Sequence, residues 1–313
     1  AAIVALTTWA AAWSGSRRVL SVTPLEALGG SAERAHEDLA RRPGRNIAAI
    51  SLFAVGGALL ALGIAAGLVT PLGVVIAFVG GLLSFTGLAL GAALVMPPVL
   101  RLVGRVFGSS ATARLAAENG MRHPERSSRM AIGVVMGVTL VTMFAVAIAS
   151  TKAVLTTTAG GELPEFMATL LDTFSIVMMA LVGVSAVIAA VGLVNLLTIG
   201  VVQRRRELGL LRALGLSNGQ VRRMILLEAT HVTVAALALG LVLGVAYGWA
   251  GAQSLLGSVP VVPGGTAGTF VLPALPLVPL AVVVVATAIL TLVAAVVPTR
   301  LATRVAPVEA LAE

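Results

Sequence analysis

The sequence predicts an all-α polytopic membrane protein, with six full transmembrane helices, a truncated one, and short amphipathic cytoplasmic helices. Three observations carry this reading. The chain is 58% hydrophobic and only 11% charged, with a mean hydropathy of +1.04, far outside the range of soluble domains. It contains six apolar runs of about 20 residues or more, the length a helix needs to cross a bilayer. Finally, its 20 Arg fall only in alternate connecting segments, as expected when basic residues are retained on the cytoplasmic side.

Taken in order, residues 1–13 are apolar but too short to span, and no Met begins them. They read as the tail of a helix that began upstream, so the chain is expected to be a fragment. A secretory signal would require a basic start and a cleavage site, and the sequence offers neither. The spans are expected at about 47–70, 73–95, 130–150, 173–201, 231–256 and 271–297. Pro43 and Pro124, each set among Arg, read as elbows because a proline disfavours helix in the residue before it. The segment upstream of each elbow is expected to lie along the inner membrane face.

The charges fix the expected orientation. Six Arg lie between 14 and 46, six between 96 and 129, six between 202 and 228, and two after 298. The intervening connections 71–72 and 257–270 are uncharged, and 151–172 holds Lys152 against Glu162, Glu165 and Asp172. The net charge of +8 then follows from membrane orientation. A nucleic-acid face is the competing reading, and a weak one, because the Arg are spread over four loops with no aromatic residues between them.

Residues 11–28 are echoed at 294–311. Ala11, Ala12, Arg17, Val22, Pro24, Glu26, Ala27 and Leu28 recur as Ala294, Ala295, Arg300, Val305, Pro307, Glu309, Ala310 and Leu311. Duplication of a multi-helix unit accounts for the match. Several spans also carry the small-residue spacing that lets helix backbones approach closely: Gly63/Gly67, Gly87/Gly91, Gly133/Gly137 and, as the best candidate, Gly240/Gly244/Gly248. Asn195 is expected to hydrogen-bond a neighbouring helix, and Gln253 is the other notable polar residue within a span.

Familiar catalytic patterns are missing. A phosphate-binding loop needs Lys beside Ser or Thr after a glycine-rich turn, but the one Lys, Lys152, precedes Ala153. His36, His123 and His231 are isolated, which argues against a metal site and suggests surface or interfacial residues. Cys is absent, excluding thiol chemistry. None of the six runs carries an ionisable Asp, Glu, Lys or Arg in its interior, so an ion-coupled path is not expected.

The segment 203–215, Gln-Arg-Arg-Arg-Glu-Leu-Gly-Leu-Leu-Arg-Ala-Leu-Gly, is different. It lies between two long uncharged runs. Leu208, Leu211 and Leu214 recur at spacing three with Leu210 adjacent, while Glu207 and Arg212 face elsewhere. Gly215 suits the position just past a helix end. A plain basic loop would account for the Arg but not for the leucine stripe or the Glu.

RRRELGLLRALGLSNGQVRRMILLEA resembles the cytoplasmic loop of FtsX-like permeases, the membrane subunits of MacB-type ABC transporters. The closing RVAPVEALAE and the stretch ARLAAENGMRHPERSSRMA are similar to that family's C-terminal tail and to its first helix and elbow. The resemblance implies three regions: 1–46, the end of a preceding permease repeat and a connector; 47–98, two linking helices; and 99–313, a four-span FtsX-like permease domain. It also implies a coupling helix at about 204–215 that docks on a separate ABC ATPase, a dimer. Arg204 and Arg205 belong to it, Arg206, Glu207 and Arg212 would make polar contacts, Leu208, Leu211 and Leu214 apolar ones, and Gly215 would close it. ATP would be hydrolysed by the partner, with no cofactor, metal or catalytic residue in this chain.

Further partners implied are an N-terminal permease half, on the same chain or a second permease, and the lipid bilayer of a bacterial inner membrane. Family members usually carry a large extracytoplasmic domain between the first and second helices of the unit, whereas here that connection, 151–172, is short. The leading expectation is an exporter driven by a mechanical stroke. A non-transporting transducer that regulates a cell-wall enzyme is the alternative, and a secondary carrier a third reading, for which Pro273, Pro276 and Pro279 would break the last helix near its outer end.

Overall fold

The computed structural model describes residues 43–104, 124–180, 215–260 and 269–304, with positions 5, 9, 12, 13, 16, 183, 184, 187, 210, 212 and 213 besides. The described residues are helical, with no strand among them. Seven helices serve the description: α1 Pro43–Gly67, α2 Gly73–Leu90, α3 Ala92–Gly104, α4 Pro124–Thr158, α5 over 165–180, α6 Asn218–Leu256 and α7 Leu277–Arg304. Four stretches are long and apolar enough to cross a membrane: Gly44–Gly67, Gly73–Leu90, Ala131–Thr158 and Asn218–Leu256. The expected span at 173–201 begins earlier, at 165, and its later part lies outside the described residues.

Pro43 and Pro124 open α1 and α4. Proline suits a first helical position, where no amide partner is needed and its fixed φ is already helical. The elbows inferred from sequence are therefore helix starts. α1 and α2 form a tight hairpin joined by residues 68–72. Glycines make its seam: a Cβ at Gly56 or at Gly80 would sit 2.7 Å from the other's carbonyl oxygen. Such contact lets backbone meet backbone, the usual adhesive where lipid removes any hydrophobic gain.

Three expected boundaries move. The span drawn to residue 95 stops at Leu90. The chain turns at Gly91, and a separate helix, α3, runs to Gly104. α3 contains Pro97 and Pro98, which remove two backbone donors, yet it buries Met96 and Leu100 rather than forming the loop expected after 95.

The second change concerns 151–172. α4 continues to Thr158 and α5 starts at 165, so only 159–164 is non-helical. Thr156 and Thr157 donate to the carbonyls of Lys152 and Ala153 at 2.7 and 2.8 Å. The reversal uses Gly160 and Gly161 at φ 80° and 118°, values most side chains avoid. The Lys152 ammonium pairs with the Asp172 carboxylate across it.

The third is α7, which begins at Leu277 rather than 271. Residues 269–276 are not helical, and Pro273 and Pro276 disfavour helix in the residues before them.

The main core lies where α3, α4, α6 and α7 meet. It is built from Met96, Leu100, Val135, Val138, Ala235 and Val283, among others. A second cluster of Val154, Ala252, Leu256 and Val271 closes the end near the α4–α5 turn.

Candidate functional site

The candidate site is the charged cassette and the helix it feeds. Arg204, Arg205, Arg206, Glu207, Leu208, Leu211 and Leu214 lie outside the described residues, as does Asn195. The described part of the cassette is its end. Leu210, Arg212 and Ala213 are helical, and Leu210 is 51% exposed. Gly215 has φ 106° and donates its N–H to the Arg212 carbonyl at 3.0 Å, a left-handed close to the helix that glycine adopts without strain.

Only two residues then separate this close from α6. Leu216 packs against Val221, Met224 and Ile225. Ser217 is the N-cap: its hydroxyl accepts from the Gln220 N–H at 3.3 Å, and the Gln220 side chain accepts from the Ser217 N–H at 2.8 Å. This reciprocal capping box satisfies two donors that a helix start leaves orphaned. The segment expected to begin a turn at Ser217-Asn218 is thus the first turn of a 39-residue helix, about 58 Å long at 1.5 Å per residue. The hydrocarbon core is about 30 Å thick, so α6 extends well past it.

α6 bonds its neighbours at successive heights. Near its start, His231 Nε2 is 2.9 Å from the Leu100 carbonyl of α3. Two residues on, Thr233 donates to Thr291 of α7 at 3.1 Å, both buried. Gly240, Gly244 and Gly248 lie on α4: a Cβ at each would come within 2.8 Å of Val138 Cβ, 2.8 Å of Thr142 Cγ2 and 2.6 Å of the Met143 carbonyl. Between the last two of these glycines, the Tyr247 hydroxyl is 2.8 Å from Ser84 Oγ of α2. At the far end Trp249 Nε1 donates to the Val271 carbonyl at 2.8 Å.

Gln253, 1% exposed, uses both ends of its amide there. Its Nε2 donates to the Thr269 carbonyl at 3.0 Å and its Oε1 accepts from the Val271 N–H at 2.6 Å. Ser150 of α4 accepts the Ala274 N–H at 3.0 Å, so the non-helical strap 269–276 is tied to both long helices.

Two sequence expectations need correction. His231 is not a surface or interfacial residue but is 1% exposed, because the helix starts 13 residues before it and carries it into the core. Gly133 and Gly137 make no close approach, with nothing within 4 Å of a Cβ at either, since they border a cavity facing Met179 and Val282. Sequence reasoning missed Thr233, Tyr247 and Ser84. For α6 the signal was present in Thr233, Tyr247, Trp249 and Gln253, four residues with polar groups in the uncharged stretch 232–256. Among the described residues no group of three or more His, Cys, Asp or Glu is placed to hold a metal.

A bundle of long apolar helices, tied by buried hydrogen bonds and glycine contacts, defines a multi-pass helical membrane protein. Residues 179–307 match the family described as FtsX-like permease C-terminal. The chain is also similar to two Bacillus subtilis (strain 168) proteins. One is the ABC transporter permease YtrF, 32% identical over 66 residues, 20% of this chain and 15% of that protein. The other is the uncharacterized ABC transporter permease YknZ, 26% identical over 100 residues, 32% of this chain and 23% of that protein. The chain thus spans less than a quarter of the length of either relative. No solved structure matches it.

Proposed function

We propose that this chain is the permease subunit of an ABC-type exporter, powered by a separate dimeric ATPase through a mechanical stroke. The observation that carries the reading is the FtsX-like match over 179–307, which contains the amphipathic cassette 203–215. The cassette docks on the ATPase, with Arg204, Arg205, Arg206, Glu207 and Arg212 supplying charged contacts and Leu208, Leu211 and Leu214 apolar ones. Nucleotide is bound and hydrolysed by the partner. Two residues between Gly215 and the capped start of α6 make a short, stiff joint, which favours transmission of force over slack. From α6 the displacement passes to α4 through the Gly240/Gly244/Gly248 contact, to α7 through Thr233, and to the opposite end through Gln253.

The Arg-rich connections face the cytoplasm of a bacterial inner membrane. The echo of 11–28 at 294–311 supports a second permease unit, on the same polypeptide or on a partner. Export is favoured over regulation of an outer enzyme because the connection at 159–164 is a six-residue turn, too small to dock one.

Affinity purification of the full-length protein from membranes, with mass spectrometry of what accompanies it, tests the proposal. Wild type is expected to bring down an ABC ATPase, and the double charge reversal Glu207→Lys/Arg212→Glu to lose it. Purification of an intact permease with no ATPase, under conditions that preserve membrane complexes, would overturn the reading.

A further inference from the structure

Between α4, α5 and the strap lies a cavity of about 170 Å³ with three walls. α4 contributes Phe144, Ile148 and Lys152, α5 contributes Ser175 and Met178, and Pro276 closes the third side from the end of the strap. Two of these walls are fastened to the bundle. α4 lies against the glycines of α6, and the strap is bonded to Ser150, Trp249 and Gln253.

The third wall, α5, is fastened differently. No residue of 165–180 is buried. Its half-buried positions Ala168, Leu171, Ser175 and Met178 form one narrow helical stripe. Gly183, further along the same helix, has nothing within 4 Å of a Cβ, so no close backbone contact holds it there. Among the described residues, the Lys152–Asp172 ion pair is the one polar contact between α5 and another helix.

Helices in lipid gain little from apolar contact alone and associate through close packing and hydrogen bonds. The Asp172 end of the single tie on α5 is 60% exposed, where an ion pair contributes little. The other attachment of α5 is the turn, where Gly160 and Gly161 stand at φ 80° and 118° with nothing within 4 Å of a Cβ at either. Two adjacent glycines in open space absorb large backbone rotations at low cost. A weak latch beside such a hinge leaves two positions of the helix close in free energy.

We propose that α5 is a hinged side gate. It swings about Gly160–Gly161, the Lys152–Asp172 pair latches it shut, and opening joins the cavity to the surrounding lipid. The inference goes beyond the transport reading and needs no ATPase.

The test places pairs of nitroxide labels on the full-length protein in liposomes and reads their separation by pulsed electron paramagnetic resonance. The chain has no Cys, so labels attach only where Cys is introduced. Val177→Cys/Val242→Cys spans α5 and α6, Val242→Cys/Val285→Cys spans α6 and α7, and all three sites are exposed. The first pair is expected to show a major and a minor distance, the second pair a single one. Lys152→Ala and Asp172→Asn are each expected to raise the minor population of the first pair about threefold, within the range of an exposed ion pair, and to leave the second pair unchanged. The charge swap Lys152→Asp/Asp172→Lys is expected to restore the wild-type ratio. One unchanged distance for the first pair in wild type and both single variants would overturn the gate. A rise that persists in the charge swap would overturn the latch. Equal broadening of both pairs would place the motion in the bundle as a whole and overturn its assignment to α5.

Discussion

At the scale of single residues, the α4–α6 seam makes opposite predictions for glycines that look alike in sequence. Gly244→Leu drives a side chain into Thr142 and the Thr139 carbonyl, the latter 2.9 Å from a bare Cβ. Overpacking of this kind costs about 1–3 kcal/mol, so the melting temperature in detergent is expected to fall. Gly133→Ala meets nothing and gains up to about 1 kcal/mol of helix propensity, so the same measurement is expected to show no loss. The GxxxG spacing was legible for both pairs, but which face met a partner was not, because spacing records a face and not what lies opposite it.

Gln253 teaches the same lesson for polar groups. Its presence in an apolar run was visible, but its partners, Thr269 and Val271, lie 16 and 18 residues away on a strap that no periodicity reveals. Gln253→Leu strips both backbone groups of their partners. Hydrogen exchange at the Val271 amide is expected to quicken about tenfold or more, the effect of losing 1–3 kcal/mol of protection.

At the scale of elements, the joint between the cassette and α6 is the sensitive place. Ser217→Ala removes the cap and is expected to cost about 1 kcal/mol, seen as faster amide exchange over 218–221 with the rest of α6 unaffected. Gly215→Val places a branched side chain at φ 106°, in a region where such residues lose about 1–2 kcal/mol. It is expected to loosen the close and to expose the Gly215 region to proteolysis. Helix existence was largely readable from apolar run length, and the ends were not. α6 gained 13 residues on its expected start because Val221, Met224 and Ile225 continue the buried stripe among Arg222 and Arg223, which hydropathy averages away. α2 stopped five residues short, at a Gly whose breaking role shows only when the next helix restarts.

At the scale of the whole molecule, the absence of Cys makes the topology directly measurable. Glu162→Cys, in the exposed turn between α4 and α5, is expected to react with a membrane-impermeant maleimide on intact cells. Gly219→Cys, in the first turn of α6, is expected to react only after permeabilisation. Reaction of Gly219→Cys, and not of Glu162→Cys, from outside would reverse the orientation drawn from the Arg distribution. The alternation of Arg-bearing and Arg-free connections was readable at once, since it is a property of order along the chain. The packing of the linking hairpin against α6 was not, since Tyr247 and Ser84 are 163 residues apart.

The ties along α6 also limit how this rod can move. Successive residues of a helix are offset by about 100° around its axis, so a twist of even one position would swing His231, Thr233, Tyr247 and Gln253 away from four different neighbours together. Sliding or tilting along with those neighbours keeps all four. The molecule is built to resist torsion, and a push on one end of α6 is received at the other as displacement of the bundle rather than as spin.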